Sequence, residues 1–297
     1  MLLEIKTGEL AALLTAICWT VCAMCFEYSS KKVGSLSVNL IRLYMAFVLF
    51  TVFSFFFRGR ALPTDASGDT WFWLGLSGIV GFVLGDMFLF KSFVIIGART
   101  SMLIMALAPM ATALMGYLIL SETLMLHHCI GMVMTTSGVA AVILTRKDGS
   151  KELKHPIKGI VYAFIGMIGQ AVGLVLSKYG MGEYNAFAAT HIRIIAGMIG
   201  FSLLFFHLKA WGKFAASFKN RRAIIFLIIG SIFGPFLGVY LSLVAVQNTA
   251  TGIASTIISI VPVLIIPFAV VLFKEKIYLK EVIGAIIAVI GTGIMFS

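Results

Sequence analysis

Charged residues are scarce in this sequence. Only 12% of its 297 residues are Asp, Glu, Lys or Arg, whereas water-soluble domains carry about a quarter. Hydrophobic residues make up 60% of the chain, and the mean hydropathy is +1.05. This balance excludes an ordinary soluble domain and predicts a protein that lies largely in a lipid bilayer.

Motifs for hydrolysis and nucleotide chemistry are also missing. The sequence has no HExxH zinc pair, no phosphate-binding loop with Gly-Lys-Ser/Thr and no GxSxG nucleophile elbow. Its four cysteines form no disulfide framework. Cys18, Cys22 and Cys25 share one helix face, which predicts packing residues rather than a metal site. We therefore predict a protein that is not an enzyme and that uses no cofactor and no metal.

Long apolar runs, in contrast, recur along the whole chain. Each has the length of about 20 residues that a helix needs to cross about 30 Å of hydrocarbon, and none shows the alternation of barrel strands. Because a lipid-facing backbone must satisfy its own hydrogen bonds, the sequence predicts an all-α polytopic membrane protein with ten transmembrane helices. The predicted helices span residues 8–30, 35–57, 70–91, 95–120, 127–145, 159–179, 186–208, 223–247, 251–273 and 280–296.

Basic residues are concentrated in the loops that follow the first, third, fifth, seventh and ninth predicted helices. The positive-inside rule places these loops in the cytoplasm and both termini outside, in the cytoplasmic (inner) membrane. Lys91 is assigned to the end of the third helix, and Arg99 is counted with the basic turn at the entry of the fourth. The formal net charge of +11 therefore has a topological cause and indicates no nucleic-acid partner.

The two halves of the chain repeat one another. Offsets of 151 and 153 residues superimpose glycine, proline, tyrosine and arginine positions in order. The matched pairs are Gly8/Gly159, Tyr28/Tyr179, Arg42/Arg193, Gly81/Gly234, Gly85/Gly238, Pro109/Pro262, Gly131/Gly284 and Gly138/Gly291. Because each half contains five helices, an odd number, the second must enter the membrane from the opposite side. We predict two inverted five-helix repeats at 1–145 and 159–297, joined by a basic linker at 146–158.

Several stretches carry a family resemblance that covers essentially the whole chain. In order they read AALLTAICWT, GDMFLFKSFVIIGARTS, LAPMATALMGYLILSE, VPVLIIPFAVVLFKE and VIGAIIAVIGTGI. This series resembles the drug/metabolite transporter superfamily, in particular its ten-helix EamA-type members. The resemblance implies a central cavity between inverted repeats and export or exchange of small metabolites such as amino acids. Many members are drawn with both termini in the cytoplasm, opposite to the orientation that the charges predict here.

Asp86 and Arg42 are charged residues inside predicted helices, where burial is costly without a partner or a water-filled cavity. At a rise of 1.5 Å per residue, Asp86 lies roughly 8 Å and Arg42 roughly 10 Å from the same membrane boundary. The two can therefore form a structural ion pair. Alternatively, Asp86 lies on the cavity wall, where it binds a substrate ammonium or exchanges a proton.

Arg193 is the equivalent of Arg42 in the second repeat, but Val239 stands at the position equivalent to the acid of the first repeat. Arg193 either pairs with Glu183, Tyr240 or backbone carbonyls, or holds an anionic group such as a substrate carboxylate. The planar fork of a guanidinium suits a carboxylate.

Five further residues are candidates for the cavity. Glu27 lies near the end of the first helix and is either a solvated interface residue or a second proton site. Trp19, Tyr44, Gln170 and Tyr240 combine apolar surface with a polar group and could line a pocket for a partly apolar solute, although packing is the alternative for each.

The sequence thus favours a secondary transporter that moves a small organic metabolite by alternating access, with coupling to protons as a subordinate hypothesis. Its predicted partners are the small-molecule substrate, the lipid bilayer and protons. Two alternatives remain open at this stage. One is an uncoupled uniporter or exchanger, and the other is a polytopic lipid scramblase or enzyme.

Overall fold

The computed structural model describes residues 2–111, 114–115, 126–143, 156–248, 257–273 and 278–295, and all regular structure within these ranges is helical. The α-helices are α1 (Leu2–Val33), α2 (Ser35–Arg58), α3 (Gly68–Gly78), α4 (Asp86–Met105), α5 (Leu126–Ile143), α6 (Ile157–Met181), α7 (Ala186–His207), α8 (Trp211–Ser217), α9 (Arg221–Ser231), α10 (Val239–Asn248), α11 (Val261–Phe273) and α12 (Leu279–Met295). Two π-helices, π1 (Ile79–Gly85) and π2 (Ile232–Gly238), join α3 to α4 and α9 to α10.

Six continuous helical stretches in the described residues are long and apolar enough to cross a membrane. Their surfaces carry large apolar side chains such as Phe56 and Phe57, which are 76% and 80% exposed. Apolar surface of this extent fits a lipid environment. The prediction of an all-α polytopic membrane protein is confirmed. Residues 146–155 of the predicted linker lie outside the described residues, and the proposed repeat boundaries stay a prediction.

Polar side chains fix the start of several helices. The Ser67 hydroxyl accepts the backbone N–H of Thr70 at 3.1 Å at the start of α3. The Asn185 side chain accepts the N–H groups of Phe187 and Ala188, each at 3.1 Å, at the start of α7. Such caps satisfy N–H groups that have no partner within the helix.

The third predicted helix does not end at Lys91. The helical stretch continues to Gly97, where φ is 78° and ψ is 160°, a conformation that glycine adopts at little cost. Lys91 remains on the helix, with its Nζ 5.3 Å from the ring centroid of Phe88. The prediction of a turn at Lys91 is wrong because a lysine can lay its apolar stem along an aromatic neighbour without interrupting the helix.

The two π-helices occupy equivalent positions in the repeats, since π1 and π2 are both seven residues long and are separated by the offset of 153. Each ends at one member of the matched pair Gly85/Gly238. Pro235 lies inside π2, whereas Phe82 stands at the equivalent position of π1, so proline is not their common cause. π-Helical turns inside longer helices are frequent at functional sites.

Helix packing follows the same internal symmetry. Helix α6 packs along α3, π1 and α4, and α1 packs along α9, π2 and α10. Helix α2 packs against α7, and α5 against α12. Each contact joins an element of the first half to one of the second, so the two halves interlock.

Glycines bring α6 close to π1. A Cβ atom on Gly169 would lie 2.7 Å from the Cα of Gly85, and one on Gly173 would lie 2.8 Å from the Cα of Gly81. These distances leave no room for a side chain, so the two backbones touch. Small residues serve the same purpose in other membrane helix pairs.

At the equivalent contact between α1 and π2, α1 presents side chains where α6 has its glycines. A Cβ on Gly238 would lie 2.7 Å from Cδ1 of Trp19, and one on Gly234 would lie 3.2 Å from Sγ of Cys22. All four cysteines are free, and Cys22 packs against the apolar core.

Candidate functional site

Asp86 is the first residue after π1, and its side chain is buried between helices. One carboxylate oxygen, Oδ2, pairs with Nη2 of Arg42 on α2, and only 4% of the Arg42 side chain is exposed. The ion pair between Asp86 and Arg42, which their estimated depths in the membrane predicted, is therefore present. It ties α2 to the beginning of α4.

The second carboxylate oxygen also has a partner. Gln170 on α6 donates through Nε2 to Oδ1 of Asp86 and, at 3.3 Å, to the Gly81 carbonyl. Asn39 accepts from Nε of Arg42 at 3.1 Å and donates to the backbone carbonyl of Asp86 at 3.2 Å. We call Asn39, Arg42, Asp86 and Gln170 the polar cluster. It links helices of both repeats.

Sequence reasoning found three of these four residues. It named Gln170 only as a pocket-lining candidate, because its partner lies 84 positions away along the chain. It missed Asn39, which lies three positions before Arg42 and therefore on the same helix face. That spacing was the one available signal.

Phe82 packs against two of the buried arginines, Arg42 and Arg193. Its ring centroid is 5.7 Å from Cζ of Arg42 and 4.9 Å from Cζ of Arg193. Each arginine lies seven residues into its helix, so the two side chains start roughly 10 Å from opposite membrane boundaries. In a core of about 30 Å, this places the Phe82 ring near mid-membrane.

Arg193 differs from Arg42 in its charge partners. It is 4% exposed, and no ion pair joins it to an acid in the part of the chain that the structure describes. Its Nε is buried without a hydrogen-bond partner there. Among those residues, neither Glu183 nor Tyr240 supplies the partner that the sequence suggested.

Trp19 and Gln170 are equivalent positions at the offset of 151. Trp19 packs on Gly238 at the end of π2, and the backbone of Gln170 packs on Gly85 at the end of π1. The residue after π2 is Val239, where π1 is followed by an acid. Asp86 and Gln170 of the polar cluster therefore have the counterparts Val239 and Trp19, whereas Arg42 and Asn39 correspond to Arg193 and Thr190.

Glu27 is buried, with 1% of its surface exposed. Its carboxylate pairs with Lys31 and accepts the backbone N–H of Ala98 at 2.7 Å. Ala98 is the first residue after the break at Gly97, so Glu27 caps the helix that restarts there. The interpretation of Glu27 as a solvated interface residue is wrong, because α4 covers it.

Arg99 is also buried rather than part of a cytoplasmic turn. Its Nη1 lies 3.0 Å from Oε2 of Glu281 on α12, and the same oxygen accepts the N–H of Tyr278 at 3.1 Å. A small cavity adjoins the pair and is also lined by Leu103 and Pro262. The prediction that Arg99 lies in an exposed turn is wrong, because it pairs with an acid 182 positions away in the chain.

The two tyrosine candidates lie apart from the polar cluster. The Tyr44 hydroxyl is 3.0 Å from Oγ of Ser202, and the side chain is partly exposed. The Tyr240 ring packs edge-on against Phe187, with 5.6 Å between centroids. Their described contacts are those of packing residues between helices.

Comparison with known proteins identifies the family. The sequence model of the EamA-like transporter family matches residues 6–144 and again residues 157–297. A protein from Clostridium kluyveri, described as an uncharacterized transporter, is 24% identical over 236 residues, covering 78% of this chain and 74% of that protein. Another so described, from Archaeoglobus fulgidus, is 22% identical over 281 residues and 94% of each chain.

A solved structure, described only as a crystal structure of a protein, shares the fold. Its TM-score is 0.69 at 15% sequence identity, over 97% of this chain and 96% of that one. The family match is the stronger finding, because it extends over nearly all of the sequence in two parts. The chain belongs to the EamA-like transporter family.

Proposed function

We propose that the protein is a secondary transporter that exports or exchanges a small organic metabolite, with amino acids among the candidates. Family membership supports membrane transport. The observation that carries the proposal is the polar cluster beside Arg193, where buried charges from both repeats flank the Phe82 ring inside the membrane. Charged groups at that depth mark substrate pathways, and repeat interfaces hold the binding sites of secondary transporters.

Alternating access by rocking of the repeats is part of this proposal. On the side of the basic loops, Arg99 of the first repeat contacts Glu281 of the second. On the opposite side, Asp65 accepts hydrogen bonds from side chains of both repeats. We propose that each set of contacts breaks when the cavity opens to its own side.

The charge distribution supports placing the basic loops in the cytoplasm of an inner-membrane protein, with both termini outside.

Proton coupling through Asp86 is the subordinate proposal. The described groups that contact this carboxylate are Arg42 and Gln170, and Arg193 and Cys22 lie within electrostatic range of it. Protonation of Asp86 would weaken its ion pair with Arg42 and its hydrogen bond from Gln170 on α6. Binding of a proton would thereby change the contact between the repeats. Glu27 is the second candidate, through its contacts with both α4 and Lys31.

Reconstitution into proteoliposomes tests the function. We expect the wild-type protein to accumulate a metabolite when a pH gradient is imposed, and Asp86→Asn to lose that drive, whereas Asp69→Asn, at an exposed acid of α3, keeps it. Solute uptake that ignores the gradient would favour an uncoupled uniporter or exchanger. Lipid translocation or lipid turnover without solute selectivity would contradict the transporter proposal.

A further inference from the structure

Arg193 is a buried cation, and the described residues around it contain one acid fewer than charge balance requires. The described core around Phe82 holds the guanidinium groups of Arg42 and Arg193 and the carboxylate of Asp86. Asp86 already pairs with Arg42 and Gln170. One positive charge therefore remains without a contacting anion among the described residues, and a buried charge is costly unless it is paired.

The internal repeat shows what Arg193 lacks. In the first repeat, Arg42 meets the carboxylate that follows π1. In the second repeat, Val239 follows π2, and Trp19 stands at the position of Gln170. The two halves share the matched glycines, the π-helices and the buried arginine. They differ in the acid that neutralises the arginine, which only the first half has.

The guanidinium of Arg193 can accept a ligand on its edge. Phe82 covers one face of it, at 4.9 Å from Cζ, and this contact uses the face rather than the N–H groups. The buried Nε has no partner in the described part of the chain. An atom placed on Gly81 would lie 3.4 Å from Nη2 of Arg193 and 3.9 Å from Oε1 of Gln170. The edge therefore lies beside π1, at the contact between the repeats.

We propose that Arg193 binds the carboxylate of the transported substrate, while Asp86 remains with Arg42. This inference rests on the proposed transport function and names its substrate class, an organic monocarboxylate. A carboxylate matches the two parallel N–H donors of a guanidinium edge. A single negative charge neutralises the site, whereas a doubly charged phosphate would leave it with excess negative charge.

Ligand-induced thermal stabilisation of the purified protein in detergent tests the site, since a ligand that binds the folded state stabilises it. The probes are simple monocarboxylates, each compared with its own primary amide. We expect one or more carboxylates to stabilise the protein more than the matching amide. In Arg193→Gln the apparent Kd for such a carboxylate should rise by roughly tenfold or more, whereas the exposed-site control Arg222→Gln should bind like the wild type.

A second pair of variants keeps Arg193 in place. Val239→Asp supplies the acid that the first repeat has, so it should abolish carboxylate binding by competing inside the protein, and Val239→Asn should retain binding. Arg193 would not be the anion-binding group if no carboxylate outperformed its amide, if Arg193→Gln bound normally, or if Val239→Asp bound as tightly as Val239→Asn.

Transport of the same compounds into proteoliposomes separates the two proposals. Carboxylate binding that depends on Arg193 but leads to no transport would leave the binding site standing and overturn the transporter function. Transport of amines or neutral solutes with no preference for the carboxylates would leave the transporter function standing and overturn the binding site.

Discussion

The carboxylate of Glu27 on α1 accepts the backbone N–H of Ala98 at 2.7 Å, directly after the helix break at Gly97. A broken helix leaves N–H groups without partners, and its N-terminal end attracts negative charge. Glu27 meets both needs from a helix 71 positions earlier in the chain. The break at Gly97 therefore becomes a fixed joint between α1 and α4.

Removing this cap should destabilise the protein. For Glu27→Ala we expect a loss of about 2–3 kcal/mol, because a buried N–H group loses a charged acceptor. The fall in the melting temperature in detergent measures it. Glu183→Ala, at an exposed acid between α6 and α7, is the control and should leave the melting temperature unchanged. Equal melting temperatures for both variants would contradict a capping role for Glu27.

The buried pair of Arg99 and Glu281 should show strong coupling. Arg99→Met removes the cation that faces a buried carboxylate, and breaking such a pair costs about 3–5 kcal/mol. Glu281→Gln keeps an acceptor for the N–H of Tyr278 at the start of α12. The double variant should therefore be more stable than Arg99→Met alone, because the Glu281 carboxylate that faced the removed cation is then a neutral amide. A double-mutant cycle on thermal unfolding measures the coupling, and strictly additive losses would argue against it.

The contact between α6 and π1 should not tolerate a methyl group. In Gly173→Ala the new Cβ would lie 2.8 Å from the Cα of Gly81, so the backbones must separate, at a cost of about 1–3 kcal/mol. Gly212→Ala, on α8 with no atom within 4 Å of the added methyl, should be neutral or slightly stabilising. Melting temperatures of the two variants measure the difference. A Gly173→Ala protein as stable as Gly212→Ala would show that the helices can move apart freely.

The loop between α2 and α3 should give a small acid-dependent loss of stability. Slight burial raises the pKa of Asp65, but a backbone hydrogen bond, the Tyr184 hydroxyl and the charge of Arg58 outweigh it and lower the pKa below its usual 3.8. Because the folded-state pKa is depressed, this stabilisation is present above about pH 4 and is lost as the pH falls through the lower, folded-state value. Melting temperatures of the wild type and Asp65→Asn should therefore converge in acid, and a constant difference down to the lowest pH would contradict this.

Much of the fold follows from periodic features of the sequence. Helix-length apolar runs predicted an all-α membrane protein, and the matched pair Gly85/Gly238 falls at the ends of the two π-helices. The pairing of Arg42 with Asp86 was also predictable, because both depths follow from counting residues along neighbouring helices. Such features depend on short-range spacing and on the cost of leaving polar groups in lipid.

The sequence by itself thus determined the membrane class, the internal repeat and the presence of buried charges. The tertiary structure alone decided which partners those charges have. Glu27 and Arg99 look like ordinary helix-end residues in the sequence. Only the packing of α4 against α1 and the ion pair between α4 and α12 show that they are buried. The residues next to a charged side chain in the sequence are the same whether that side chain faces water or a distant counter-ion. The free energy of the charge depends on its neighbours in space, and the spacing of residues along the chain does not specify them.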